Sequence, residues 1–441
     1  MSAGRLYLDN AATTFPKPPG VVEAVAAYMT HNGSTPGRAS YREANDGGAI
    51  IRRCRERLCR FLNAPSPDHV VFTLNTTDAI NLAVKGAVRH ARRSGASRVH
   101  LVATESDHNS VLRPLNGFTR DEAEWTCVPV DPRTGLVDPL EIARALRLET
   151  LMVVALHAGN VTGVIQPAQE IGRVCAQARC DHALGRPMFL LDAAQSLGHI
   201  EVDMQRLGAD LVSFPGHKGL LGPLGTGGLC MKPGLERLID PLREGGTGTV
   251  SERDVQPLTM PEKFEPGSHN APGIAGLSEA LAWLLDKREQ GELFAHELEL
   301  VAAMLDGLRE RGCRMLGASA GNEGTSDGPL ADLELLGPAN PAERIGVFSL
   351  VHRTLAPGEL AALLESEFGL LVRPGFHCAP RMHAALGTHP QNVHPHSSQN
   401  GTLGGGKGAV RLSFSAMNSV HDVARALAAL EGACAMAAAI R

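Results

Sequence analysis

The stretch Asp210-Leu-Val-Ser-Phe-Pro-Gly-His-Lys218-Gly, read with Phe189-Leu-Leu-Asp192-Ala-Ala-Gln195 upstream, decides the fold of this chain. Each is a short apolar run closed by polar residues, as expected of a buried parallel strand that delivers side chains at its end. The upstream run delivers the carboxylate of Asp192. The other, 26 residues on, delivers His217 and Lys218 between glycines. Chemistry on pyridoxal phosphate needs a lysine to form a Schiff base and an acid to keep the pyridine nitrogen protonated. Lys218 and Asp192 fit those two roles. Taken singly, a helix-capping Asp192 and a surface Lys218 are the plainer readings; their pairing at two strand ends favours the chemical one.

Working outward, short apolar runs alternate with helical patterns from about residue 21 to about residue 275. Strand candidates are Val70–Leu74, Val99–Ala103, Thr126–Val130, Leu151–Leu156, Met188–Leu191, Leu211–Phe214 and Gly228–Met231, with helices such as Asp78–Arg92 and Gln166–Arg179 between them. This alternation predicts an α/β fold, a mainly parallel seven-stranded sheet sandwiched by helices, with ligands at strand carboxyl ends. An N-terminal segment, 1–15, precedes a large domain, 16–275. From about Ile274 a long helical stretch through Trp283 and Leu298 leads into a smaller α+β C-terminal domain, 276–441. Within it Gly317–Asn340, rich in Gly, Ser and Asp, reads as a mobile surface loop, and His389–Gly408 as a second polar segment.

Eight motifs in order carry a resemblance. They are Tyr7-Leu-Asp-Asn-Ala-Ala-Thr-Thr14, Asn75-Thr-Thr-Asp-Ala-Ile-Asn81, His157-Ala-Gly-Asn160, the Asp192 and Lys218 segments, Gly267-Ser-His-Asn270 and Arg373-Pro-Gly-Phe-His-Cys378, followed by Ala409-Val-Arg-Leu-Ser-Phe414 as the closing stretch. The chain thereby resembles the cysteine desulfurase and selenocysteine lyase branch of the class-V aminotransferase-like enzymes, which use pyridoxal 5'-phosphate in a fold-type I scaffold. The likeness runs along nearly the whole sequence.

What the resemblance implies can be stated residue by residue. Lys218 carries the cofactor and shuttles protons, Asp192 pairs with the ring nitrogen, and Gln195 with Asn160 lies near the phenolic oxygen. His108, in Glu105-Ser-Asp-His-Asn-Ser, stacks on the ring. Thr76, Thr77 and His217 hold the phosphate, for which a helix start is also suited on physical grounds. The family's serine three residues before the lysine is Pro215 here, so one contact is absent or replaced, with Ser213 as a stand-in. Ser268 stands where the family has a threonine that reaches the partner subunit, which implies a homodimer. Arg411 matches the arginine that binds the substrate carboxylate, a task suited to a planar bidentate cation. Asn10 and Ala11 lie nearby, and Arg373 is a second cation at the same mouth, as contact or as loop support. Cys378 is the catalytic thiol.

Composition limits the alternatives. Acidic residues outnumber basic ones, 47 to 42, and 4% of residues are aromatic, so neither nucleic acid nor an anionic membrane is an expected partner. No apolar run has the length of a membrane span, and Met1–Leu8 is too short and polar for a signal peptide, so the cytoplasm is the expected location. Nine scattered cysteines fit a reducing compartment. Cys175, Cys180 and His182 have the wrong spacing for zinc, and no metal is expected. Gly401, Gly406 and Lys407 are spaced like a phosphate loop, but Gly408 follows in place of Ser or Thr and no strand precedes them. His389, His394 and His396 read as solvated.

The preferred reading is a desulfurase that turns L-cysteine into L-alanine through a persulfide on Cys378, passed on to a sulfur-acceptor protein. The rivals are a lyase acting on L-selenocysteine, an aminotransferase or epimerase that does not use Cys378, and a non-catalytic cofactor-binding protein.

Overall fold

A computed structural model describes residues 4–36, 39–318, 327–390 and 407–439. A seven-stranded sheet forms the centre, in the order Val70–Thr73, Gly227–Met231, Leu211–Pro215, Met188–Asp192, Thr150–Leu156, His100–Thr104, Glu124–Val128. Gly227–Met231 runs antiparallel to both neighbours, and every other pairing is parallel. All residues of the Asp192 and Lys218 strands are buried, which explains why their sequence is apolar without alternation. Strand ends fall within two residues of the sequence-based bounds, the largest shift being Glu124–Val128 for the expected Thr126–Val130. The helix expected from Asp78 begins at Thr76, because Asn75 caps it by accepting from the Asp78 N–H at 3.0 Å. The helix expected over 166–179 spans Ala168–Gln177.

The helical stretch after Ile274 is two helices, Ala271–Glu289 and Glu292–Glu310, broken at Gly291, whose φ of 74° is left-handed. The division at 275/276 falls inside the first, which packs on the helices Val21–Ala27 and Arg42–Leu62. Beyond it lies a five-stranded sheet in the order Arg373–Gly375, Ala409–Ser413, Val347–His352, Leu333–Pro338, Arg314–Gly317. One expectation fails here. Leu333–Pro338, placed within a surface loop by its neighbours' composition, is a buried strand pairing parallel with Arg314–Gly317 and antiparallel with Val347–His352. The Gly, Ser and Asp residues that dominated that window precede the strand, and its own Leu-Glu-Leu-Leu run carries the burial.

The N-terminal segment joins the two sheets. Leu6–Tyr7 pairs parallel with Leu370–Leu371, and Asp9 bridges to Ser413. The chain then turns toward the Lys218 loop, where the Thr14 N–H donates to the His217 carbonyl at 3.0 Å and the Thr14 hydroxyl to the Lys218 carbonyl at 3.2 Å. The N-terminal segment is thus a short strand followed by a strap that reaches the Lys218 loop.

Candidate active site

Asp192 ends its strand directly opposite Leu156 on one side and Ser213 on the other. The loops that follow the Asp192 and Lys218 strands meet backbone to backbone. A Cβ on Gly198, at φ 98°, would fall 2.1 Å from the Gly219 carbonyl oxygen, and one on Gly219 would fall 2.4 Å from that of Leu197. Only glycines permit this approach, and it fixes Lys218 relative to Asp192. Between them opens a pocket lined by Thr76, Thr77, His108, Asn160, Asp192, Gln195, His217 and Lys218, together with Asn75, Ser110, Leu156, Ala158, Ala194 and Pro215.

Burial sets the charge states in this pocket. It pulls Lys218 down to about 8, with Asp192 opposing and the Arg411 and Arg373 charges assisting. It pushes the Asp192 carboxyl up to about 6, against the Ala194 N–H donated to Oδ1 at 2.9 Å and the charge of Lys218. A cationic partner in the pocket would draw that proton off. His108 is driven down to about 3, by burial first and then by Lys218, Arg373 and Arg411, and His217 to about 4, by burial, Lys218 and Lys17. Both imidazoles are neutral. His108 also caps the helix Asn109–Asn116, its Nδ1 accepting from the Ser110 N–H at 3.0 Å, so its ring is anchored and not solvated.

Several polar atoms at this pocket have no protein partner. They are Thr76 Oγ1, which is buried at the start of the 18-residue helix Thr76–Arg93, His217 Nδ1 and Gln195 Oε1. Buried polar groups are rarely left unpaired, so the pocket is built for a polar occupant. A helix N-terminus with a hydroxyl and an imidazole suits a phosphate, and a buried carboxylate beside a depressed lysine suits a pyridine aldehyde. The residues fit pyridoxal phosphate. Thr77 is exposed on the same helix start. Ser213 does not replace the missing serine: it sits two residues deeper than Pro215 on the strand, fully buried, and does not line the pocket.

The cations expected at the mouth lie on the small sheet. Arg373 and Arg411 are directly opposed across antiparallel strands, an arrangement unfavourable for like charges unless anions accompany them. Asp9 is one such anion, at 2.7 Å from Arg411 Nη2, and the sequence reading overlooked it although it stands in the Tyr-Leu-Asp-Asn motif. Arg411 is 1% exposed, gives Nη1 to the Asn160 carbonyl at 3.2 Å, and keeps Nε without a partner. Asn10 and Ala11 are engaged internally. The Asn10 amide donates to the Ser413 carbonyl at 2.9 Å and accepts from the Phe15 N–H at 3.1 Å. The Ala11 N–H donates to Ser413 Oγ at 2.8 Å, and its carbonyl accepts from Gln195 Nε2 at 2.9 Å.

Cys378 is exposed, unlike the buried Cys54, Cys175, Cys180, Cys230, Cys313 and Cys434. Its sulfur accepts from Arg373 Nη2 at 3.6 Å. His377 and Cys378 adopt φ of 49° and 58°, two consecutive non-glycine residues in the left-handed region. Two bonds hold them there: Asn160 Nδ2 donates to the His377 carbonyl at 2.6 Å, and the Asn109 N–H to the Cys378 carbonyl at 2.9 Å. Asn160 thus touches the pocket, Arg411 and the cysteine loop at once. Ser268 lies apart, exposed, lining a separate hollow with Arg243, Thr226 and His269.

The class-V aminotransferase family profile matches residues 6–326 and 328–426. A probable cysteine desulfurase of Methanothermobacter thermautotrophicus is 33% identical over 391 residues, 86% of this chain and 87% of that protein. The chain belongs to the cysteine desulfurase branch of the class-V aminotransferases. A cysteine desulfurase of Methanosarcina thermophila is 30% identical over 427 residues, covering 96% of this chain and 90% of that one. The apo structure of a cysteine desulfurase from Thermococcus onnurineus NA1 superposes with a TM-score of 0.79 at 27% identity, over 97% of this chain and 94% of its own. Class-V enzymes depend on pyridoxal phosphate, in agreement with the donor set of the pocket. No helix of this class-V chain, among the described residues, is long and apolar enough to cross a membrane. His389 lies 4.8 Å from the Phe376 ring, while His394, His396, Gly401 and Gly406 fall outside the described residues.

Proposed function

We propose that this chain is a pyridoxal phosphate-dependent cysteine desulfurase that takes the sulfur of L-cysteine onto Cys378 as a persulfide and leaves L-alanine. The observation that carries the reading is the exposed Cys378 thiol, 3.6 Å from Arg373 Nη2 on a loop fastened to Asn160, itself a wall of the Lys218 pocket. Lys218 would hold the cofactor, with Asp192 at its ring nitrogen and His108 on its face. Gln195 and Asn160 would attend its ring oxygen, and Thr76, Thr77 and His217 its phosphate. Bound there, pyridoxal phosphate supplies a sink for the electron pair left when a substrate loses its α proton.

The chain's own residues do the rest. With a pKa near 8, about a tenth of Lys218 is neutral at pH 7, enough to accept the α proton and return one later. Arg411, fixed by Asp9 and the Asn160 carbonyl, offers its unpaired Nε to the substrate carboxylate. The Cys378 thiolate attacks the substrate sulfur. The S–S bond forms as the C–S bond breaks, the electron pair goes to the departing carbon, and protonation there completes L-alanine. The exposed persulfide can then be taken by an acceptor protein or reduced by a thiol.

In this reading the active unit is a homodimer of chains that each divide into 16–275 and 276–441. Ser268, outside its own chain's pocket, supplies a hydroxyl to a neighbour's phosphate, where Pro215 has none. Its loop is braced by a buried pair, Glu265 with Arg55 at 2.6 Å, and by His269 at 2.7 Å from Glu265. The test is direct. Purified protein is given L-cysteine or L-selenocysteine with a reducing thiol, and alanine, sulfide and selenide are quantified. Alanine and sulfide in equal amounts from L-cysteine support the proposal. Turnover of L-selenocysteine alone makes the chain a lyase for that substrate.

A further inference from the structure

Behind the cysteine loop stands a second histidine that the proposed chemistry does not use. His383, on the short helix Pro380–Ala385, is fully buried beneath Phe376, whose ring meets it edge-on at 5.5 Å. Its Nε2 is 3.3 Å from His377 Nδ1, its Nδ1 is 2.7 Å from Thr388 Oγ1, and His377 Nε2 is 3.0 Å from the Arg373 carbonyl oxygen.

The directions of these bonds follow from the one end that has no choice. A carbonyl only accepts, so His377 carries its proton on Nε2 and, being neutral, presents a lone pair at Nδ1. His383 must then donate from Nε2, which leaves its Nδ1 to accept from the Thr388 hydroxyl. Burial holds both imidazoles neutral, driving His383 down to about 3 and His377 well below its ordinary value, so no member needs a second proton. The Thr388 hydroxyl also lies 3.2 Å from the His383 carbonyl, but that carbonyl already accepts from the Thr388 N–H at 2.8 Å, so the hydroxyl proton goes to the nearer ring nitrogen at 2.7 Å. The result is a single-direction chain, Thr388 to His383 to His377 to the Arg373 carbonyl, in which every ring nitrogen has a partner.

This chain closes the loop from Arg373 to Cys378 across its base. It locks the His377 ring, and with it a left-handed backbone that non-glycine residues adopt at a cost. It also fixes the residue whose guanidinium meets the Cys378 sulfur. We infer that His383 is a positioning residue for Cys378, acting through His377 to keep the thiol on Arg373. This rests on the reading of Cys378 as the sulfur acceptor only for its importance, since the geometry itself is independent of the reaction.

The test reads the thiol and not turnover. Alkylation of Cys378 by iodoacetamide at pH 7 is followed by peptide mass in the wild type, His383→Ala, His383→Gln, Arg373→Ala and the Arg373→Ala/His383→Ala double variant. Glutamine can accept from Thr388 and donate to His377, so His383→Gln should stay within about twofold of wild type. His383→Ala and Arg373→Ala should each slow alkylation about fivefold, the loss of one charge-assisted contact, and the double variant should be no slower than Arg373→Ala alone. An unchanged rate in His383→Ala, a His383→Gln variant as slow as His383→Ala, or multiplicative losses in the double variant would overturn the inference. Should His383→Ala fail to fold, Thr388→Val attacks the same chain from its other end and should slow alkylation in the same direction; an unchanged rate there would overturn it equally. Because alkylation needs no substrate, a protein that makes no persulfide from L-cysteine refutes the desulfurase reading without touching this result.

Discussion

The Lys218 pocket and the Cys378 loop solve opposite problems. The pocket groups stand at the ends of fully buried strands, where regular hydrogen bonding fixes the backbone and burial displaces the charge states of Lys218, Asp192, His108 and His217. The thiol, by contrast, is exposed on a loop whose backbone is left-handed at two successive residues. Nothing regular holds it. Its place depends on the Asn160 and Asn109 bonds and on the His377–His383 chain. Under the proposed function, a group that only receives a small substrate can be sunk into a sheet edge, whereas a thiol that would also hand sulfur onward has to stay reachable, and so is fixed by side chains from elsewhere in the sequence.

The contrast can be broken at either end. The largest effect is expected at the pocket: Lys218→Ala should lower alanine formation by on the order of 10⁴-fold or more, and borohydride should no longer attach the cofactor to the chain. A reduced adduct mapped to another lysine would remove Lys218 from the site. At the loop, Cys378→Ala should cost about a hundredfold or more in alanine from L-cysteine while the cofactor's visible spectrum still changes on adding substrate. If both responses vanish together, the two regions are not separate devices.

The pH dependence sharpens the pocket half. Only the neutral amine attacks an aldehyde, and burial lowers Lys218 to about 8. In protein stripped of its cofactor, the rate of rebinding pyridoxal phosphate covalently should therefore rise about tenfold per unit as pH increases toward about 8, then level off. A rise that continues to pH 10 would mean an ordinary, solvated lysine. The smallest effect concerns the dimer. Ser268→Ala should weaken retention of the cofactor by roughly two- to tenfold, the worth of one hydrogen bond, without altering the Cys378 alkylation rate. A fully active monomer would contradict the role given to Ser268.

The same contrast explains what the sequence disclosed. Asp192, Gln195, His217 and Lys218 are read from contiguous runs, because a strand end places neighbours in sequence at one point in space. Thr76 and Thr77 were legible as a helix start, although Asn75 proved to be the cap. The support of Cys378 was not legible. Asn160 reaches it across 217 residues, Asp9 reaches Arg411 across 402, and neither distance leaves a local pattern. The Leu333–Pro338 strand was lost to the glycines and polar residues before it, whose composition outweighed a short apolar run.

The account stands or falls on where the sulfur goes. One equivalent of L-cysteine is added to the purified holoenzyme without reductant, the reaction is quenched with an alkylating agent, and the peptides are weighed. A mass gain of one sulfur atom on Cys378, matched by an equal amount of L-alanine, is the predicted result. Alanine formed with Cys378 unmodified, or sulfur on a different cysteine, would contradict it.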